Sequence, residues 1–130
     1  RETIDINELA SQTLMLLGPG HCFRDQVLSA CPACNHTALM EGSIQKTVQG
    51  SSLETIRHMV ASGMGITVLP CSATIVDQYA QQLLTIRPFN EPVPRRRVAL
   101  AWRSSFPRPK AIEAIRQAII ASKLDCVTYL

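Results

Sequence analysis

The residues with the most chemistry in them are Gly18-Pro19-Gly20-His21-Cys22-Phe23-Arg24-Asp25, followed by Cys31-Pro32-Ala33-Cys34. Cys22 comes after a glycine-rich turn and stands where a helix begins, so backbone N–H groups and the helix dipole there would stabilise a thiolate. His21 and Arg24 add cationic or hydrogen-bonding character. Together they describe a nucleophilic thiol; the competing reading is an inert, buried cysteine beside a helix cap. Cys31 lies nine residues further on. If the intervening segment is helical, the two Cα atoms are roughly 13.5 Å apart at 1.5 Å rise per residue. A disulfide tolerates no more than roughly 7 Å. Joining Cys22 to Cys31 would therefore unwind or bend that helix, which describes a switch and not a staple.

Cys31 and Cys34 also form a CxxC pair. A thioredoxin-like site would place that pair after a strand and near a Trp, whereas here it follows an apparent helix and the single Trp is at position 102. A zinc site from Cys31, Cys34 and two of Cys22, His21 and His36 is a further alternative, weakened by the lack of a second CxxC. Cys71 and Cys126 read as small apolar residues.

The elements that must position these groups alternate in type. Apolar runs at residues 12–17, 65–70 and 98–102 have the continuous character of strands buried on both faces. Helices are expected over 22–31, from a capping box of Ser51 and Glu54 to Gly63, and over 109–122, where Pro109 opens a segment lined by Ile112, Ile115 and Ile119. This is an α/β pattern with a mostly parallel sheet. Residues 88–94 form a proline-rich, stiff connector.

Composition closes off several classes. The 130 residues, 46% of them apolar, suit a domain with a real core and exclude a disordered tail. A net charge of +3 with a single basic run, Arg95-Arg96-Arg97, argues against DNA binding by this chain itself. No stretch suits a membrane span or a signal peptide, so the chain reads as cytoplasmic, with its five cysteines expected to be reduced and any pair redox-active or metal-bound. It starts without Met and reads as a piece of something longer.

The run Gly20-His21-Cys22-Phe23-Arg24-Asp25-Gln26, the second Cys nine residues on, Ser52-Leu53-Glu54-Thr55-Ile56-Arg57 and Gly63-Met64-Gly65-Ile66-Thr67-Val68-Leu69-Pro70 resemble the OxyR peroxide sensors among the LysR-type transcriptional regulators. The resemblance implies a type II periplasmic-binding-protein-like regulatory domain: the second lobe over residues 1–92, then the strand and helix returning to the first lobe over 93–130. It implies that Cys22 is the peroxidatic cysteine and Cys31 the resolving one, with His21, Arg24, Asp25 and Arg96 around them. It further implies hydrogen peroxide as the signal, a homodimer or homotetramer, promoter DNA reached through an absent N-terminal helix-turn-helix, RNA polymerase as a partner and a reductant such as glutaredoxin or thioredoxin. No metal and no cofactor is implied, and no enzymatic turnover, because an external reductant must restore the thiols after one event. The sequence departs from the family after Cys31, where Pro32 to Lys46 is longer and Cys34 is a rival resolving thiol. The alternatives are a LysR-type domain sensing a small metabolite, a thiol peroxidase or disulfide enzyme, which would lack the Thr-x-x-Cys loop, and a zinc-binding structural module.

Overall fold

The computed structural model describes residues 2–37, 48–74 and 82–130. Contacts group the chain into two units, Arg1–Arg95 and Arg96–Leu130.

The first unit is built on a parallel sheet of three strands in the order β2-β1-β3, where β1 is Leu14–Leu17, β2 is Val48–Gly50 and β3 is Ile66–Thr67. Met15 pairs with Val48 and Leu17 with Gly50 on one side of β1, and Leu14 with Ile66 on the other. All four β1 residues are buried. Because side chains alternate across a strand, Leu14 and Leu16 join one cluster with Leu9, Val27, Cys31 and Cys34, while Met15 and Leu17 join another with Ile56. A four-residue apolar run thus feeds two cores, as expected for a strand covered on both faces.

Helix α1 (Cys22–Ala30) and the short helix α2 (Pro32–Thr37) serve the first cluster, and α3 (Leu53–Ala61) serves the second. Gly50, at the end of β2, permits close approach of α3: a Cβ there would overlap the Ile56 side chain. The cap of α3 is one residue later than the sequence pattern places it. Ser52, not Ser51, accepts the Thr55 N–H at 3.1 Å. Glu54 is therefore released from a capping box and instead pairs with Arg57 at 2.7 Å.

Three further elements differ from the sequence expectation. A 3-10 helix over Ile6–Ser11 has its own capping box, in which the Asn7 N–H donates to Asp5 Oδ1 at 2.8 Å and the Asp5 N–H to Glu8 Oε1 at 3.3 Å. Strand β2 is too short and polar, Val-Gln-Gly, to stand out by hydrophobicity. In the connector, Phe89 forms a parallel bridge with Ile4 and packs against the first cluster.

The second unit carries α4 (Pro109–Ala121), opened by Pro109 as its composition indicates. None of its residues is buried, and Ile115, Ile119 and Ile120 are exposed. The expected strand at 98–102 does not form: these residues have no ladder, Val98 is 80% exposed and Trp102 56%. A strand is defined by a hydrogen-bonded neighbour as much as by its own side chains, and no described strand pairs with this one.

Candidate functional site

The carboxyl ends of parallel strands are where α/β folds place their reactive groups, and the turn leaving β1 delivers Cys22 there. The Gly18 N–H donates to the Gly50 carbonyl at 3.3 Å, and Gly20 takes a φ of 92°, a left-handed conformation that lets the chain reverse before α1. His21 is the N-cap of α1 and makes no side-chain capping bond. The first-turn N–H groups are thus not spent on a capping side chain, the arrangement by which a helix start receives an anion.

Cys22 is the first residue of α1, exposed, and the free cysteine among the described residues. The Cys22 thiol is therefore not buried beside the cap. Arg24, two residues along and half-buried, donates from Nη1 to the Leu17 carbonyl at 3.0 Å, tying the start of α1 to the end of β1. His21 and Asp25 are exposed on the same turn. Asp25 also lines an open groove of about 760 Å³ with Asp5, Asn7, Ser29, Asn90 and Arg95. His21, Cys22, Arg24 and Asp25 are brought together by one helical turn. Arg96 is exposed at the head of the second unit.

At the other end of the same helix the environment inverts. Cys31 is the C-cap residue, its N–H donating to the Val27 carbonyl at 3.0 Å, and it is 0% exposed. Its sulfur is bonded to Cys34, 3% exposed, across a Cα–Cα separation of 5.4 Å. The structure joins Cys31 to Cys34 and leaves Cys22 as a thiol; the Cys22–Cys31 bond is not formed in this state. The CxxC spacing was the signal for this pair, since a turn that starts a helix brings positions three apart within disulfide reach.

That bond also bears on the zinc alternative, because disulfide sulfurs are not thiolate ligands. Among the described residues no group of three or more His, Cys, Asp or Glu could hold a metal ion, and the His36 side chain lies outside the described residues. Cys71 opens a 3-10 helix over Cys71–Ala73, and Cys126 has a φ of 57°. Both are exposed and neither is a free thiol, which corrects their reading as merely small apolar residues. No helix among the described residues is long and apolar enough to cross a membrane.

Comparison with known proteins gives a consistent picture. The model of the LysR substrate binding domain matches residues 1–123. The chain is similar to a reduced form of OxyR from N. meningitidis, with a TM-score of 0.84 and 44% identity over 97% of this chain and 57% of that one. It is also similar to the reduced OxyR regulatory domain of Pseudomonas aeruginosa, with a TM-score of 0.76 and 53% identity over 92% of this chain and 54% of that one. The DNA-binding transcriptional dual regulator OxyR of Escherichia coli K12 is 34% identical over 122 residues, 93% of this chain and 37% of that protein. A probable hydrogen peroxide-inducible genes activator of Streptomyces viridosporus is 34% identical over 96% of the chain and 38% of its own length. The chain therefore spans well under half the length of these two relatives.

Proposed function

The chain belongs to the LysR substrate binding domain family, and we propose that it is the hydrogen-peroxide-sensing part of a bacterial transcription regulator of the OxyR type, working in the cytoplasm. The observation that carries this reading is Cys22: an exposed free thiol at the start of a helix, flanked by His21 and Arg24, in a fold shared with OxyR regulatory domains.

In this reading the Cys22 thiolate attacks one oxygen of hydrogen peroxide, breaking the O–O bond to give a sulfenic acid and hydroxide. The Cys31 thiol, in a chain whose Cys31–Cys34 bond has been reduced, then displaces water to form the Cys22–Cys31 disulfide. Helical α1 would hold the two Cα atoms roughly 13.5 Å apart, so this second step dismantles α1 and draws Cys31 out of the core. Arg24, whose guanidinium holds the end of β1, loses its anchor at the same time. His21, Arg24 and Asp25 would surround the peroxide at Cys22.

The remodelled segment would alter packing in a homodimer or homotetramer and so the engagement of promoter DNA and RNA polymerase by the intact regulator. Glutaredoxin or thioredoxin would reset the thiols, making the protein a single-event sensor and not a turnover enzyme. A second reading, recognition of a small polar metabolite, draws on the open groove beside Asp25. Thermal stabilisation by such a compound together with indifference to peroxide would favour it.

Trapping the sulfenic acid tests the proposal. Fully reduced protein given less than one equivalent of peroxide and a dimedone-type probe should be labelled at Cys22. Labelling elsewhere, or none, contradicts it.

A further inference from the structure

Cys34 has no part in the peroxide-sensing reading, yet the structure bonds it to Cys31. We propose that Cys34 is the terminal acceptor of the oxidation, a third reacting residue that takes the disulfide from Cys22–Cys31 and stores it as Cys31–Cys34. The inference rests on the proposal that Cys22 reacts first with peroxide.

Three observations point this way. Cys34 is separated from Cys31 by Pro32 and Ala33, and its N–H donates to the Cys31 carbonyl at 2.9 Å, so the two cysteines are neighbours by local geometry whatever α1 does. Closing their bond leaves α1 intact over Cys22–Ala30 and packed through Val27, whereas closing Cys22–Cys31 does not. Both sulfurs then sit in the first cluster, beside Leu14, Leu16 and Val27, while Cys22 is returned to solvent as a thiol. The loop closed by Cys31–Cys34 is also the shorter one, with less chain entropy to lose.

The chemistry balances. Cys22 thiolate plus hydrogen peroxide gives sulfenic acid and hydroxide; Cys31 thiol then forms Cys22–Cys31 with loss of water. Cys34, as thiolate, next attacks the Cys31 sulfur, the Cys31–Cys34 bond forms, and Cys22 leaves as thiolate. One peroxide is reduced to two molecules of water once protons are counted, the Cys31 and Cys34 thiols are oxidised to one disulfide, and Cys22 is regenerated. The unwound state of α1 is thus transient. A chain carrying Cys31–Cys34 has a competent Cys22 with no resolving thiol until a reductant reopens the pair.

Disulfide mapping of rapidly acid-quenched, fully reduced full-length chain, given 0.5 equivalent of peroxide, tests this. Early quenches should contain Cys22–Cys31; at the endpoint Cys31–Cys34 should exceed it roughly tenfold, with Cys22 available to an alkylating agent. In Cys34→Ser, and in Cys34→Ala, which keeps the buried position apolar, Cys22–Cys31 should persist. A wild-type endpoint dominated by Cys22–Cys31, or an early Cys22–Cys34 bond, overturns the relay and leaves the sensing reading standing. Formation of Cys31–Cys34 at an unchanged rate in Cys22→Ser overturns both.

Discussion

Helices α1 and α3 are both nine residues long and pack on opposite faces of the same three-stranded sheet, yet they are secured in different ways. Helix α3 has a side-chain cap from Ser52 and a fully buried Ile56. Its Arg57 pairs with Glu54 and also donates from Nη2 to the Ala73 carbonyl, and His58 lies 3.7 Å from Glu54. Helix α1 has no side-chain cap and one buried residue, Val27, within its span. A hydrogen bond from Arg24 to Leu17 ties it to the sheet end. Helix α1, which carries Cys22, thus lacks the side-chain cap and ion pair that secure α3. Local openings are drawn from weakly held segments, so the proposed dismantling of α1 would leave α3 to hold the sheet.

That contrast can be broken most forcefully at the buried anchors. Ile56→Ala should cost about 3 kcal/mol in chemical denaturation, because it empties a fully enclosed site under α3. Val27→Ala should cost about half of that, roughly 1.5 kcal/mol. Equal losses would mean that α1 is as firmly seated as α3. The caps come next: Ser52→Ala should lower stability by about 1 kcal/mol, whereas His21→Ala, with no capping bond to remove, should change it by a few tenths at most. Amide exchange in the reduced protein should correspondingly be faster across Phe23–Leu28 than across Ile56–Val60.

The smallest effect belongs to the charge pairing on the exposed surface of α4. Arg116, by hydrogen bonding, and then Gln117 hold the Glu113 carboxyl well below its ordinary 4.5, at about 2. A group whose folded value is depressed contributes above its unfolded value and loses that contribution as pH falls toward the folded one. The Tm difference between wild type and Glu113→Gln should therefore be small near pH 6 and vanish between pH 4.5 and 2, and high salt should erase it as well.

Much of this architecture was legible in the sequence because it rests on local signals. The apolar run of β1, the glycine turn before Cys22, Pro109 at the head of α4 and the nine-residue spacing from Cys22 to Cys31 each encode their own structure. What was illegible depended on partners distant in sequence. Strand β2 exists because Val48 to Gly50 find Met15 to Leu17, and its short polar sequence carries no such message. Residues 98–102 have the apolar content of a strand and form none, because content without a neighbour does not make a ladder. Either Ser51 or Ser52 can cap a helix and Glu54 favours Ser51 as a capping box, but the backbone entry into α3 makes Ser52 the cap. The Cys31–Cys34 bond was visible as spacing, but its burial against β1 was not, since that depends on where α1 and α2 settle on the sheet.

In the proposed function Cys22 is the thiol through which peroxide enters. The rate of Cys31–Cys34 formation in fully reduced protein at substoichiometric peroxide, compared between wild type and Cys22→Ser, measures this directly. In Cys22→Ser that rate should fall by at least roughly a hundredfold, because Cys22 is the residue that hands the oxidation to the buried pair. Equal rates in the two proteins would contradict it.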